Sequence, residues 1–340
     1  MMRACSPTRT IRSLVCMGAA FATAILTAGS VSAQPGATYE PSRGQSGKDV
    51  VWIPTPDALV TRMLKLAQVR AGDHVVDLGA GDGRIVIAAA RDFGARALGL
   101  EFDARLVEHA KRKAEEAGVS GRAEFRQGDI FIADFSGADV VTMYLLPDLN
   151  LRLRPTLLAM KPGTRVVSHQ FTLGNWQPDE TSWVENRPAY LWIVPANAGG
   201  TWQATYSGKE GPAAAQLTVE QAFQKVKGTL EFGAVRTWLR HPQMEGQRFR
   251  FAFTDGDGIV RQVDATVAGD RMVGTVSKVG TPGGEAGTGA GTEAGARAGK
   301  GGTEQAGEFK AMRSGPLPVL GGSAPASSEE LTNALQILGE

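Results

Sequence analysis

Read as a pattern of apolar and polar positions, the chain is most sharply organised over residues 75–101. Val75-Val76 is an apolar run that ends in Asp77 and gives way at once to Gly79, Gly81 and Gly83. Ile85, Val86, Ala88 and Ala89 follow at helical spacing, and a second apolar run, 95–100, is closed by Glu101. Strand, glycine loop, helix and strand predict one βαβ unit, with a carboxylate at the end of each of two adjacent parallel strands. Ligands of open α/β sheets bind at such strand ends, where the loops leave a crevice.

The flanking pattern extends this unit. Pro54-Thr55-Pro56-Asp57 reads as a helix start, with Thr55 as cap, Pro56 at the first position and Asp57 favouring the dipole. Leu59, Val60, Met63, Leu64 and Ala67 form its buried stripe. A helix over 104–118 turns Leu106, Val107, Ala110 and Ala114 inward and leaves a solvated charged face. Residues 123–126 predict a third strand, running out at Gln127-Gly128-Asp129-Ile130. A fourth strand over 138–143 releases Tyr144, and Asp148 and Asn150 suit a cap for the helix through Leu153. A fifth strand, 164–168, ends at His169 and Gln170 facing the crevice, and 189–194 reads as a further strand.

Beyond Gly199 the texture changes to short β-rich runs at 201–206, 216–218, 228–232, 249–253, 259–267 and 272–276. Turn pairs such as Asp255-Gly256 and Gly269-Asp270 separate them, which predicts a β-meander or small barrel. Residues 281–307 are almost wholly Gly, Ala, Thr and Glu and read as a flexible insertion, after which 308–312 resumes as the last strand. The fold class is therefore α/β: a Rossmann-like doubly wound sheet over 50–200, then a small antiparallel β-meander module over 201–313 and a tail over 314–340.

Composition adds an address. Arg3, Arg9 and Arg12 precede an apolar stretch, 14–27, and the small-residue run Val31-Ser32-Ala33. That is the pattern of a secretory signal peptide over 1–33, with a mature start at Gln34 and a polar linker over 34–49. Export to the periplasm or medium is the expectation, with a mitochondrial transit peptide as runner-up. Both cysteines, Cys5 and Cys16, lie in this segment, so the mature chain is expected to have no disulfide, thiolate site or cysteine nucleophile. The four histidines lack ligand spacing, so no metal is expected, and a net charge of +1 gives no basic footprint for nucleic acid.

The chemistry of the glycine loop narrows the ligand. A dinucleotide fingerprint needs its third glycine where Arg84 stands, and Asp77 and Asp82 would oppose a pyrophosphate at the helix N-terminus. A ligand with an adenosine, cationic groups and no phosphate suits the loop better. S-adenosylmethionine (SAM) has an ammonium, a sulfonium and a ribose diol that can donate two hydrogen bonds to a carboxylate. A dinucleotide, or a glycine-rich turn with no ligand, are the competing readings.

At this point the chain resembles class I, seven-strand SAM-dependent methyltransferases. More narrowly, it is similar to the branch that holds the lysine methyltransferases of the mitochondrial ATP synthase c-subunit and the adenine nucleotide translocase, and to exported bacterial relatives. The resemblance rests on VWIPTPDALVTRML, DLGAGDGRIVIAAA, GLEFD, GDIF, VTMYLLPDLNLRLRP and KPGTRVVSH, within residues 50–171. It implies that Asp77, Gly79, Gly81, Gly83 and Glu101 bind SAM, that Asp129 meets the adenine amino group and that Ile130 packs on the ring. It also implies a lid at Pro54-Thr55-Pro56 and an acceptor site after the fourth strand, where Tyr144 and Asn150 are the catalytic candidates.

The resemblance implies a protein lysine as acceptor; the residues alone say only that a methyl acceptor is needed. The absence of an obvious base does not count against catalysis, because SAM is already activated and positioning supplies roughly 7–11 kcal/mol of such barriers. The alternative function is an exported binding protein that uses the same scaffold without turnover. The partner of the β module is not indicated.

Overall fold

The computed structural model describes residues 39–279 and 306–321. The expected signal peptide, nearly all of the insertion and most of the tail lie outside the described residues.

Two sheets make up the described chain. In the first, α1 (Asp57–Leu66) leads into β1 (His74–Leu78), α2 (Arg84–Phe93), β2 (Arg96–Glu101), α3 (Ala104–Glu116) and β3 (Ala123–Gln127). Then follow β4 (Val140–Met143), α4 (Pro147–Leu158), β5 (Arg165–His169), β6 (Glu180–Val184) and β7 (Arg187–Ile193). The strand order is β3-β2-β1-β4-β5-β7-β6, with β7 antiparallel to its neighbours β5 and β6. This is the Rossmann-like doubly wound sheet that the sequence pattern predicts, closed by an antiparallel hairpin.

Its strands are apolar on both faces because both faces are covered. Val75, Val140 and Val167 point into a core built with α1, α2 and α3. Their chain neighbours Val76, Val141 and Val166 point the other way, into a core with α4, Trp176 and Trp192. The order reverses between β1, which pairs with β2 on one side, and β4 on the other. Asp77 stands next to that switch point, where loops diverge and leave a crevice.

The second sheet has nine antiparallel strands: β8 (Gly200–Ser207), β9 (Pro212–Ala222), β10 (Lys225–Phe232), β11 (Val235–Trp238), β12 (Arg240–Glu245), β13 (Arg248–Thr254), β14 (Val260–Ala268), β15 (Arg271–Lys278) and β16 (Gly307–Arg313). Its order, β11-β10-β9-β8-β16-β15-β14-β13-β12, is two meanders joined where β16 pairs with β8. Buried Leu239 alone separates β11 from β12, so the chain passes from one end of the sheet directly to the other, around a core rich in Phe249, Phe251, Phe253 and Phe309.

The β9–β10 turn docks this sheet on the first. Phe223 stacks on Trp176 with centroids 5.7 Å apart, and Gln224 Nε2 donates to Gln177 O and to Asp179.

Several local expectations are corrected. Thr55 does not cap α1: Pro56 holds the cap position, and the Thr55 hydroxyl is spent elsewhere. Neither Asp148 nor Asn150 caps α4, whose cap position is Leu146, because Pro147 already begins the helix. Residues 39–49, read as linker, fold back and with residues 50–55 form a strap, in which the Gly47 amide donates to Val50 O and the Trp52 amide to Gln45 O. The charged face of α3 is more than solvated, since Arg112 donates to Tyr39 O and Lys113 reaches Asp82.

Candidate active site

The crevice at the ends of β1, β2 and β4 is a cavity roofed by the strap. It is lined by Asp77, Gly79, Gly81, Glu101, Asp129, Ile130 and Tyr144, and from the strap by Lys48, Trp52 and Thr55. The structure therefore gathers seven of the nine expected site residues. The other two are placed differently. Gly83 begins α2 outside the cavity, at φ 80°, and a Cβ there would lie 2.6 Å from the Phe125 ring, so its role is packing. Asn150 is fully buried in α4, where Nδ2 donates to Phe171 O at 3.2 Å and Thr172 O at 3.1 Å. It braces the segment after β5 and does not line the cavity, so it is a positioning residue.

Glu101 ends β2 with both carboxylate oxygens fixed by backbone: Oε2 accepts from the Gly81 amide and Oε1 from the Asp103 amide, each at 2.9 Å. The glycine loop and the acid thus hold one another in place. At Gly81, with φ 54°, a Cβ would meet the Trp52 indole nitrogen at 2.4 Å, so the strap closes onto the loop only because that side chain is absent.

Asp77 is buried, and its Oδ1 accepts from the Thr142 hydroxyl at 2.7 Å. No cation among the described side chains lies within ion-pair distance of it. Burial pushes its carboxyl up to about 7, the Thr142 hydrogen bond opposes this, and Glu101 and Asp82 add to it. Asp82 behaves oppositely. Burial works against its charge, but the Arg84 guanidinium, with Lys113 behind it, holds it below the usual carboxylate range. Arg84, which broke the dinucleotide fingerprint, also donates to Thr55 O at 2.8 Å and so ties the loop to the strap.

Asp129 holds its own loop, with Oδ1 accepting from the Phe131 amide, while Oδ2 accepts from Lys48 Nζ at 2.7 Å. Lys48 also lies over the Phe102 ring. Lys48 and Trp52 were not among the expected site residues, because contacts made from so far along the chain leave no local pattern.

Tyr144 leaves β4 and packs on His169 at the end of β5, ring centroids 3.8 Å apart. His169 is fully buried, with Nδ1 3.0 Å from the Thr55 hydroxyl. Burial, and then the Arg187 charge, drive it down to about 3, so the imidazole is neutral and no ready base at neutral pH. Burial raises the Tyr144 phenol, against the pull of Arg187 and Arg43, so it too stays neutral. Tyr144 also lines a second, outer cavity with Arg43, Gln170, Glu185 and Arg187. Its ring stands at the junction of the two.

The donor set fits SAM. Five acids line one cavity, Asp49, Asp77, Asp82, Glu101 and Asp129, against two cations, Lys48 and Arg84, which pair with Asp129 and Asp82. Asp77 is a buried carboxyl with no cationic partner among the described side chains, and the glycine loop admits close backbone approach. Such a site favours a cationic ligand with hydrogen-bond donors over a phosphate.

Comparison with known proteins agrees with this chemistry. Residues 77–180 match the family described as ANTKMT methyltransferase domain. A protein-lysine N-methyltransferase of Saccharolobus islandicus is 45% identical over 151 residues, 43% of this chain and 94% of that protein. The mouse lysine N-methyltransferase named for the ATP synthase c-subunit is 34% identical over 132 residues, 38% of this chain and 53% of that protein. The mouse adenine nucleotide translocase lysine N-methyltransferase is 35% identical over 156 residues, 46% of this chain and 66% of that protein. The chain thus spans only about half to two thirds of these two mouse relatives. Among solved structures, an RNA methyltransferase from Salinibacter ruber in complex with S-adenosyl-L-homocysteine is 54% identical, covers 42% of this chain and 94% of its own, and superposes with a TM-score of 0.41.

Proposed function

Because this chain belongs to the ANTKMT methyltransferase family and depends on SAM, we propose that it transfers a methyl group to the ε-amine of a lysine in a protein. The observation that carries the reading is the position of Tyr144, which lines both the acid-rich cavity and the outer one, so that a cofactor and an acceptor side chain can meet at one residue. The names of the relatives favour lysine as the acceptor. The non-catalytic alternative is not favoured.

In this reading the residues divide the work. Glu101, held by two amides, presents its remaining lone pairs to the ribose diol, and Asp129 and Ile130 take the adenine. Asp77 faces the cationic methionine end, whose charge favours the ionised carboxylate that burial disfavours. Gly79 and Gly81 admit the ligand close to the backbone. When bound, SAM supplies an activated methyl on sulfonium, so the protein needs positioning more than acid–base power. Tyr144, steadied by His169, orients the acceptor amine. Burial at that junction lowers the pKa of the amine, so that it arrives with its lone pair free.

The test is transfer of isotope-labelled methyl from SAM to protein extract, followed by amino-acid analysis. Label in methylated lysines is the expected result. Label confined to RNA, or to small molecules, would overturn the lysine reading.

We also propose that the protein acts outside the cytoplasm, on the strength of the basic, apolar and small-residue order of residues 1–33. Mass analysis of the native N-terminus should find Gln34 first; a retained Met1 would contradict export.

A further inference from the structure

The outer cavity beside Tyr144 carries charge that the methyl-transfer chemistry does not use. Arg43 arrives from the strap and Arg187 from the start of β7, so two independent elements bring guanidinium groups to one mouth. Both act on Tyr144 electrostatically, and Arg187 acts also on His169. Among the described residues, neither guanidinium has an ion-pair or hydrogen-bond partner. Glu185 and Asn186 form the two-residue turn between β6 and β7, both at positive φ (48° and 61°), so the hairpin reverses tightly and carries Arg187 into the mouth.

Two unpaired arginines are a recognition device for carboxylates, which guanidinium groups bind in forked geometry. They serve a lysine acceptor twice. They attract acidic residues beside the target, and their field disfavours the ammonium form of the lysine that enters. From this geometry we propose that Arg43 and Arg187 select lysines flanked by acidic residues in a polypeptide. The inference rests on the protein-lysine reading and names its substrate class. A polypeptide suits the mouth better than RNA, because Glu185 shares the cavity and the chain as a whole has 36 basic against 35 acidic residues, with no extended basic tract to follow a phosphate backbone.

The experiment uses the full chain saturated with S-adenosylhomocysteine. Fluorescence anisotropy measures binding of short labelled peptides that carry one central lysine flanked by glutamates or by glutamines, and of a single-stranded RNA oligonucleotide. The glutamate peptide should bind about three- to tenfold tighter than the glutamine peptide, less so at high salt. Arg43→Gln with Arg187→Gln should bring the two peptides to parity while SAM affinity, measured by calorimetry, stays unchanged. Arg187→Glu should push the ratio below one. Should the Arg187 variants fail to fold, Arg43→Gln on its exposed turn must still lower the ratio.

Equal binding of the two peptides, no binding of either, a preference that survives the double variant, or RNA bound more tightly with the same arginine dependence would each overturn the proposal. Methyl transfer from SAM separates it from the reading beneath. Equal transfer to both peptides sinks the acidic selection and leaves lysine methylation standing. Arginine-dependent binding with no transfer to lysine does the reverse.

Discussion

The imidazole of His169 lies 3.8 Å from the Tyr144 ring, centroid to centroid, and its Nδ1 is 3.0 Å from the Thr55 hydroxyl. One neutral histidine therefore links the residue between the two cavities to the strap over the cofactor cavity. Its folded pKa, about 3, is below the unfolded value, so the unfolded chain binds the extra proton first. The stability this histidine contributes is present above about pH 6.5 and is lost as pH falls towards 3. His169→Phe keeps a ring against Tyr144 and removes the titration. At neutral pH it should cost about 1–3 kcal/mol, from the buried Thr55 hydroxyl left without its partner. Melting curves between pH 7 and 5 should nevertheless fall less steeply for the variant than for the parent; equal slopes would show that His169 does not titrate in this way.

Asp77 gives the opposite sign. Its folded pKa, about 7, stands above the unfolded value, so the stability it contributes is present at low pH and lost as pH rises through about 7. Asp77→Asn should raise the melting temperature of the ligand-free protein, and by more at pH 8 than at pH 5. It should weaken SAM at pH 8, and the fall in parent affinity below about pH 7 should flatten. A variant less stable than the parent at pH 8 would show that the carboxylate has a partner worth more than its burial costs.

The two loop glycines separate packing from binding. Gly81→Ala drives a Cβ into Trp52 at the cavity, so SAM affinity should drop severalfold or more. Gly83→Ala meets Phe125 and Ala110 instead, and should cost about 1–3 kcal/mol of stability by overpacking, with affinity for SAM nearly kept. Thermal melting and titration of the pair decide it: similar profiles for the two variants would refute the division.

Lys48 occupies an oxygen of Asp129 that the adenine amino group would share. Lys48→Gln should tighten SAM by about two- to fivefold, the scale of a partly exposed ion pair. Weaker SAM binding by this variant would mean that the strap lysine supports the ligand.

What the chain reveals on reading, and what it conceals, follows from range. Asp77 and Glu101 stand out because strand, loop and helix each impose a local period, and acids that end apolar runs break it. Tyr144 is legible as the first residue free of β4, whereas Asp129, two residues beyond β3, is assigned through the family resemblance. Gly83 was assigned to the site because spacing says which residues share a loop and not where each one points. Asn150 was assigned because the resemblance puts the acceptor just after the fourth strand without saying which side chains of the next helix face it. Lys48 and Asp129 meet across 81 positions, and no period links them. The pairing of β16 with β8 is equally remote, and β11 and β12 are short, with Leu239 in place of a turn pair and Pro242 inside the second. These contacts are set by which surfaces remain to be buried once the local elements have formed.

Glu101 bears the most direct test, because the central claim is that SAM is held between the glycine loop and the acid that ends β2. Calorimetric titration of SAM into the parent, Glu101→Gln and Glu101→Ala measures this, with melting curves alongside because the Gly81 and Asp103 amides lose an acceptor. Hydrogen bonds to a charged acceptor contribute about 1.5–3 kcal/mol each, so Glu101→Ala should weaken SAM roughly 10- to 100-fold or more, with Glu101→Gln between it and the parent. If folded Glu101→Ala binds SAM as tightly as the parent, the assignment of this βαβ unit as the cofactor site is wrong.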